Sequence, residues 1–378
     1  MIKKVGIITF HNSYNCGSML QTYALQTYLE KHNIVSEIID FSTEEQRKVY
    51  SVYCNDKGIK KIIKNTIFFF HKKTIAKNFE SYEKFKYKYF KLSTNRFQKI
   101  NELNDDNYYA VITGSDQVWN ITIEDGNDAY FLPWVKNAKK IAYAPSFGSK
   151  NIINNAKNPT VYKNYIESFD CLSIREYNGQ KWIKELTNLN VPVLIDPTLL
   201  LNKSDYEKII STALSLPKEY IFFYSPGFNK KIVDFVKQIG RKYKLPIITF
   251  NTRNYFIKKI YTHTLKIPKL ENPETYLQLV SNAKLIITTS FHGTIFSSIF
   301  RKKFWVIKNG GMYGEDDRVF TLLNQLQILD RWIEPIFKTD FDYFKKCNYT
   351  NYEIKLPLLR AKSENYFKKC FGEDFYED

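Results

Sequence analysis

Nothing in this sequence approaches the ~18 consecutive apolar residues that a membrane-spanning helix requires. The segment that comes nearest, IIKNTIFFFH, is interrupted by lysine and asparagine. Cysteine is scarce and odd in number: Cys16, Cys54, Cys171, Cys347 and Cys370, with no close CxxC pair. That argues against a disulfide framework and against a zinc site, so no metal is expected and a reducing cytoplasm fits best. The opening MIKKVGIITFHNS ends its apolar run at His11 and Asn12, too soon for a secretory signal. No GxGxxG fingerprint follows the first strand, which leaves the dinucleotide reading weak. Lys and Arg outnumber Asp and Glu by 56 to 39, a formal charge of +17, yet no long basic run exists. The scatter points away from nucleic acid. It leaves compositional bias, an anionic membrane surface or phosphorylated ligands as explanations.

What is present is ordinary globular material in unusual length. A chain of 378 residues exceeds the size at which one hydrophobic core stops growing, so two domains are expected. The apolar β-branched run KVGIITF, the turn residues NSYNCGS and the amphipathic MLQTYALQTYLEKHN read as strand, loop and helix. SEIIDF then adds a second strand, and the chain opens with a βαβ unit. Residues 43–100 read as helical. YYAVITGSDQVWN, KKIAYAPSFGS and CLSIREYNGQKWIKEL each bring an apolar strand to a polar end, and VPVLIDPTLLL closes the first half. A second set follows: EYIFFYSPG, LPIITFN, KLIITTS and KFWVIK, with helices between them. These strands are apolar along their length, as a parallel sheet covered on both faces requires. The expected fold is α/β, with two doubly wound Rossmann-like domains facing a cleft. The boundaries expected are 1–196, 197–333 and a helical tail at 334–378.

Open α/β sheets bind ligands beyond the carboxyl ends of their strands, so the polar residues there are the candidates. His11, Asn15 and Gly17 follow the first strand; His11 is a ligand contact or a loop hydrogen bonder, and the other two contact ligand or shape the turn. Ser115, Asp116, Gln117 and Asn120 crowd hydrogen-bonding groups where sugar hydroxyls would find partners, or cap a helix while Trp119 packs in the core. Arg175 offers a planar fork for carboxylate or phosphate, or else an ion pair with Glu176 or another carboxylate. His292 sits where LIITTS turns into the helix GTIFSSIF, a position suited to general acid work beside a bound phosphate, or to a structural role.

Six segments in order, GIITFHNSYNCGSMLQTYALQ, VITGSDQVWN, YAPSFG, SIRE, DPTLLL and TTSFHGTIFSSIF, resemble the polysaccharide pyruvyl transferase family from about residue 4 to about residue 330. The resemblance implies a GT-B-like fold without a required metal or cofactor. It also implies transfer of pyruvate from phosphoenolpyruvate to two hydroxyls of one sugar in a surface-glycan precursor, forming a cyclic ketal and releasing phosphate. In that light His292 is the general acid, and Arg175 holds the donor's carboxylate or phosphate beside the turn of Ser290, Gly293 and Thr294. Family members often carry arginine where this chain has Ser290, and Arg318 or Lys308 would then supply the missing charge. Asp116 is the candidate base by its strand-end position. The acceptor, a sugar or lipid-linked oligosaccharide, is expected against the N-terminal domain, with Trp119 or Tyr143 stacking on it. The basic surface would then help hold the enzyme at the anionic inner leaflet. A nucleotide-sugar glycosyltransferase and a non-catalytic saccharide-binding protein are the competing readings.

Overall fold

The computed structural model describes residues 4–53, 58–308 and 317–372, and Cys54 lies outside them. Six strands, β1 (Lys4–Ile8), β2 (Ser36–Phe41), β3 (Leu92–Phe97), β4 (Tyr108–Thr113), β5 (Lys139–Ala142) and β6 (Cys171–Leu172), form one sheet in the order β3-β2-β1-β4-β5-β6. Five more, β7 (Ile221–Tyr224), β8 (Ile247–Thr249), β9 (Leu285–Thr288), β10 (Phe304–Ile307) and β11 (Trp332–Ile333), form a second in the order β11-β10-β9-β7-β8. Every strand pairing is parallel. Both orders are doubly wound, and each reverses direction once, between β1 and β4 in the first sheet and between β7 and β9 in the second. The central strands are buried along their length, Val5 to Ile8 and Leu285 to Ile287 being at most 1% exposed among their apolar residues, which explains their unbroken apolar sequence.

One strand departs from the sequence reading. The stretch 43–100 is not helical throughout, because LSTNRF forms β3 at the sheet edge. Its residues are half-buried or exposed, so it lacks the apolar signature of its neighbours. The rest of that stretch supplies a long helix, Ile59–Tyr89. This helix belongs to the first half of the sequence but clasps the second sheet's domain: Asn78 Nδ2 donates to Thr252 Oγ1 (3.0 Å), and Ser81 Oγ accepts from Asn272 Nδ2 (2.7 Å).

The helix Thr350–Phe371 spans both domains in turn. Near its start Arg301 pairs with Glu353 (2.6 Å), and Tyr349 donates to the Lys302 carbonyl (2.9 Å). Further along, Arg360 donates to the carbonyls of Leu199 (2.6 Å) and Leu201 (2.5 Å). At its end Phe367 stacks on Tyr143 at 4.6 Å, and the Tyr366 hydroxyl donates to the Ala142 carbonyl (2.8 Å), beneath the first sheet. No helix of the described residues is long and apolar enough to cross a membrane.

Candidate active site

The two reversal points face one another across a cleft of about 1250 Å³. Two helices aim their N-termini into it. The first, Cys16–Lys31, is capped by Asn15, whose Oδ1 accepts from the Gly17 amide at 2.8 Å. The second, Phe291–Ile299, is capped by Ser290, whose Oγ accepts from the Gly293 amide at 3.3 Å. Asn15, Cys16 and Ser18 line the cleft from one side, and Ser290, Phe291 and His292 from the other. The positive ends of two helix dipoles therefore converge on one volume, which suits an anion.

Between them lies a buried charge cluster organised by Asp196, at the junction of the two sheets. Asp196 Oδ2 accepts from Arg175 Nη1 (2.7 Å) and Ser115 Oγ (3.0 Å) and faces His292 Nε2 at 3.4 Å. Oδ1 accepts from the Thr198 amide (3.0 Å) and hydroxyl (2.7 Å). Burial pushes this carboxyl up, but the charges of His292 and Arg175 beside it and the Thr198 hydroxyl outweigh it and hold it well below the usual range. Arg175 spends one nitrogen here. Its Nε and Nη2 have no hydrogen-bond partner among the described residues, although both are buried and the side chain lines the cleft. Asp116 Oδ1 stands 3.7 Å from Nη2 and Glu176 Oε2 4.0 Å from Nε, and the guanidinium lies 4.3 Å over the Phe291 ring. One nitrogen of Arg175 is thus committed to Asp196, while the other two face carboxylates at ion-pair distance without a hydrogen bond among the described residues.

Asp116 adopts a left-handed backbone (φ 77°), a strained region that aspartate tolerates better than most residues. That turn brings its carboxylate to the cleft, where Ser18 Oγ donates to Oδ2 (2.5 Å) and the Gln117 amide to Oδ1 (2.9 Å). Gln117 lines the cleft beside it, and Arg318 and Lys308 line the opposite rim, Lys308 near Glu334 at 3.5 Å.

Several expected residues do not reach the cleft. His11 is fully buried, its ring nitrogens 3.1 Å from the Thr9 carbonyl and 3.0 Å from Asp40 Oδ1, so it braces the loop. Ser115 turns inward to Asp196 and the Ala144 carbonyl (2.8 Å). Asn120 is consumed by Gln117 (3.1 Å) and Thr122 (2.7 Å). Gly293 packs against Thr288, where a Cβ would meet Oγ1 at 2.2 Å, and the Thr294 hydroxyl donates to the Ser290 carbonyl (2.9 Å). Trp119 and Tyr143 are core residues: the indole donates to the Tyr130 carbonyl (3.1 Å) and the phenol to that of Ile195 (3.0 Å), so neither can stack on a sugar. Gly17 has a different task. A Cβ there would lie 2.2 Å from His292 Nδ1, so the glycine is what lets the histidine of one domain seat against the helix of the other.

The sequence reading assigned no role to Asp196 or Glu271. Asp196 stood in DPTLLL, between an apolar run and a proline, and that was its only signal. Glu271 lines the cleft from the second domain, fully buried, with Oε2 accepting from the Thr252 amide (3.0 Å) and Oε1 without a partner among the described residues. Burial, against hydrogen bonds from Thr252, pushes its carboxyl up to about 7 from an ordinary 4.5. The folded state therefore holds this proton more tightly than the unfolded chain. Its contribution to stability is complete below about pH 4.5 and is lost as pH rises through 7. Thermal unfolding of Glu271→Gln at pH 5 and pH 8 should show a smaller fall in midpoint than the parent. An equal fall would mean that the carboxyl titrates normally.

A family model described as polysaccharide pyruvyl transferase matches residues 15–311. Among curated proteins no match emerges. Similar solved structures include UDP-GlcNAc 2-epimerase from Neisseria meningitidis bound to UDP-GlcNAc, at 11% identity, covering 99% of this chain and 96% of that one, with a TM-score of 0.47. The UDP-GlcNAc 2-epimerase of Methanocaldococcus jannaschii stands at 12% identity, with 96% and 99% covered and a TM-score of 0.47. E. coli heptosyltransferase WaaC with ADP-2-deoxy-2-fluoro heptose stands at 9%, with 96% and 99% covered and a TM-score of 0.39. These likenesses are too remote to carry an argument about chemistry. The family match covers most of the chain and takes in Asp116, Arg175, Asp196 and His292: the protein belongs to the polysaccharide pyruvyl transferase family.

Proposed function

We propose that the protein transfers pyruvate from phosphoenolpyruvate to two hydroxyls of one sugar, forming a cyclic ketal and releasing phosphate. The observation that carries this reading is Arg175: a buried guanidinium, two of whose nitrogens make no hydrogen bond among the described residues, at a cleft where two helix N-termini converge. Phosphoenolpyruvate brings a carboxylate and a phosphate in a compact space, and a fork of donors flanked by helix ends matches that charge. Arg318 and Lys308, at the rim, stand in for the arginine that Ser290 replaces, while Ser290 itself caps the histidine helix.

The chemistry divides between the two sides of the cleft. One sugar hydroxyl attacks C2 of the enol phosphate as C3 takes a proton from His292, which becomes part of the new methyl group. Asp116, opposite, receives the hydroxyl proton. The carbon–oxygen bond to phosphate then breaks and the second hydroxyl closes the ketal on C2. The departing phosphate takes the proton held by Asp116, and the proton of the second hydroxyl restores His292, so in net terms one hydroxyl proton is on C3, the other is on phosphate, and no redox partner is needed. Asp196 holds the imidazole and the guanidinium in register without touching substrate. The acceptor lies against Asn15, Asp116 and Gln117, which are among the first-domain polar residues lining the cleft.

The test is phosphate release from phosphoenolpyruvate with a panel of galactose, glucose and N-acetylated acceptors. Release should require both sugar and His292, and His292→Ala should lower it by about 10²–10⁴-fold, the usual contribution of a positioned acid. Silence across the panel, with no thermal shift from phosphoenolpyruvate but one from a nucleotide sugar, would favour glycosyl transfer instead.

A further inference from the structure

The long helix Ile59–Tyr89 has an inner face explained by packing and an outer face that nothing in the fold explains. Phe68 and Ile75 are buried, and with Lys64, Asn78 and Phe79 they form one wall of the cleft. On the opposite side, Ile59 and Phe70 are each 75% exposed, and Ile62, Ile63 and Phe69 are more than half exposed. With Thr66 these residues fall within an arc of about 120° on a helix of 3.6 residues per turn. They are a continuous outward stripe, because apolar residues scattered singly over a surface would not share one arc.

The charges carried by this stretch of the helix itself are all of one sign. Residues 59–79 contain Lys60, Lys61, Lys64, Lys72, Lys73 and Lys77 and no Asp or Glu. Lys60, Lys61, Lys72, Lys73 and Lys77 are exposed. A protein partner would have to cover isoleucine and phenylalanine while answering a purely cationic border. An anionic lipid surface does both at once, accepting the apolar side chains at the acyl boundary and the ammonium groups among its phosphates. Lysine stems also lie along apolar surface while their heads stay in water, which widens the contact.

We infer that the N-terminal half of this helix, about residues 59–73, is a docking face for an anionic bilayer. The helix lies in the interface rather than crossing it, since its lysines and its length of apolar sequence forbid a span. Because the inner face of the same helix walls the cleft, docking sets the cleft beside the headgroups, where the saccharide of a lipid-linked acceptor would stand. That last consequence rests on the proposed function; the docking itself does not.

The experiment is flotation of the full-length protein with vesicles of pure phosphatidylcholine and of phosphatidylcholine with phosphatidylglycerol, at low and high salt and without substrate. Binding should occur on the anionic vesicles and weaken with salt. Ile62→Ser/Phe70→Ser and, separately, Lys60→Glu/Lys61→Glu/Lys72→Glu should each reduce it at least about tenfold. The substituted residues are exposed, so unfolding midpoints should stay close to the parent's, and phosphate release on a soluble acceptor should persist. No flotation of the parent, or flotation indifferent to both variants, would overturn the inference. A parent that is dimeric in light scattering and does not float, and whose apolar variant is monomeric, would also overturn it by identifying a second copy as the cover.

Discussion

Replacing Asp196 with asparagine should lower stability by about 3–5 kcal/mol at neutral pH, the cost of leaving a buried charge without its partner. Asparagine keeps the shape but presents one acceptor oxygen where two are used. Whichever way it turns, its amide nitrogen opposes either the Arg175 and Ser115 donors or the Thr198 amide and hydroxyl. Arg175 would then retain the Ser115 hydroxyl at 3.3 Å, with Asp116 at 3.7 Å and Glu176 at 4.0 Å. Phosphate release should fall by about 10²-fold or more, because His292 loses the group that fixes its ring. The pH dependence has a definite sign. Asp196 is depressed in the folded state, so its contribution is present above its ordinary 3.8 and fades as pH falls toward the lower folded value. Unfolding midpoints of parent and variant, measured from pH 7 down to pH 3, should converge toward acid. Parallel curves would mean that the carboxylate contributes nothing through its charge.

Gly17→Ala should separate activity from stability. Alanine is a better helix former than glycine by about 1 kcal/mol, so the first helix itself should not suffer. Its methyl group, however, would stand 2.2 Å from His292 Nδ1, and one of the two domains must give way. A displacement of about 1 Å at a reacting group costs on the order of 10²-fold in rate. The expected result is a fall in kcat of that size, an unfolding midpoint within a few degrees of the parent, and normal vesicle binding. Full activity would show that the domains separate during turnover and that this contact is not part of the reactive arrangement.

The sequence was most legible where burial imposes a pattern. The strands β1, β4, β7 and β9 announce themselves by unbroken apolar runs, and so do the polar groups at their ends. Edge strand β3, with Ser93, Thr94 and Asn95 half-buried or exposed, has no such pattern to show. Within the site, chain position found His292, Arg175 and Asp116 at the cleft but could not say which way a side chain turns. His11, Ser115 and Asn120 carry the same kind of signal as Asp116, and each faces inward. Asp196 was silent because its importance lies in partners 21, 81 and 96 positions away, Arg175, Ser115 and His292, which only the closed fold brings together. Gly17 read as a turn residue because its neighbour in space belongs to the other domain.

The helix Thr350–Phe371 has a consequence for the order in which this protein can be made. Tyr366 bonds the end of β5 across 224 residues of chain, and Arg360 reaches back about 160 residues to the carbonyls of Leu199 and Leu201. The sheet built first on the ribosome thus lacks part of its covering, Phe367 on Tyr143, until a segment synthesised much later emerges. At roughly 5–20 residues per second, that wait is on the order of ten seconds or more. For that interval the first domain lacks the cover that Phe367 gives Tyr143, and its folding is complete only when the last helix returns.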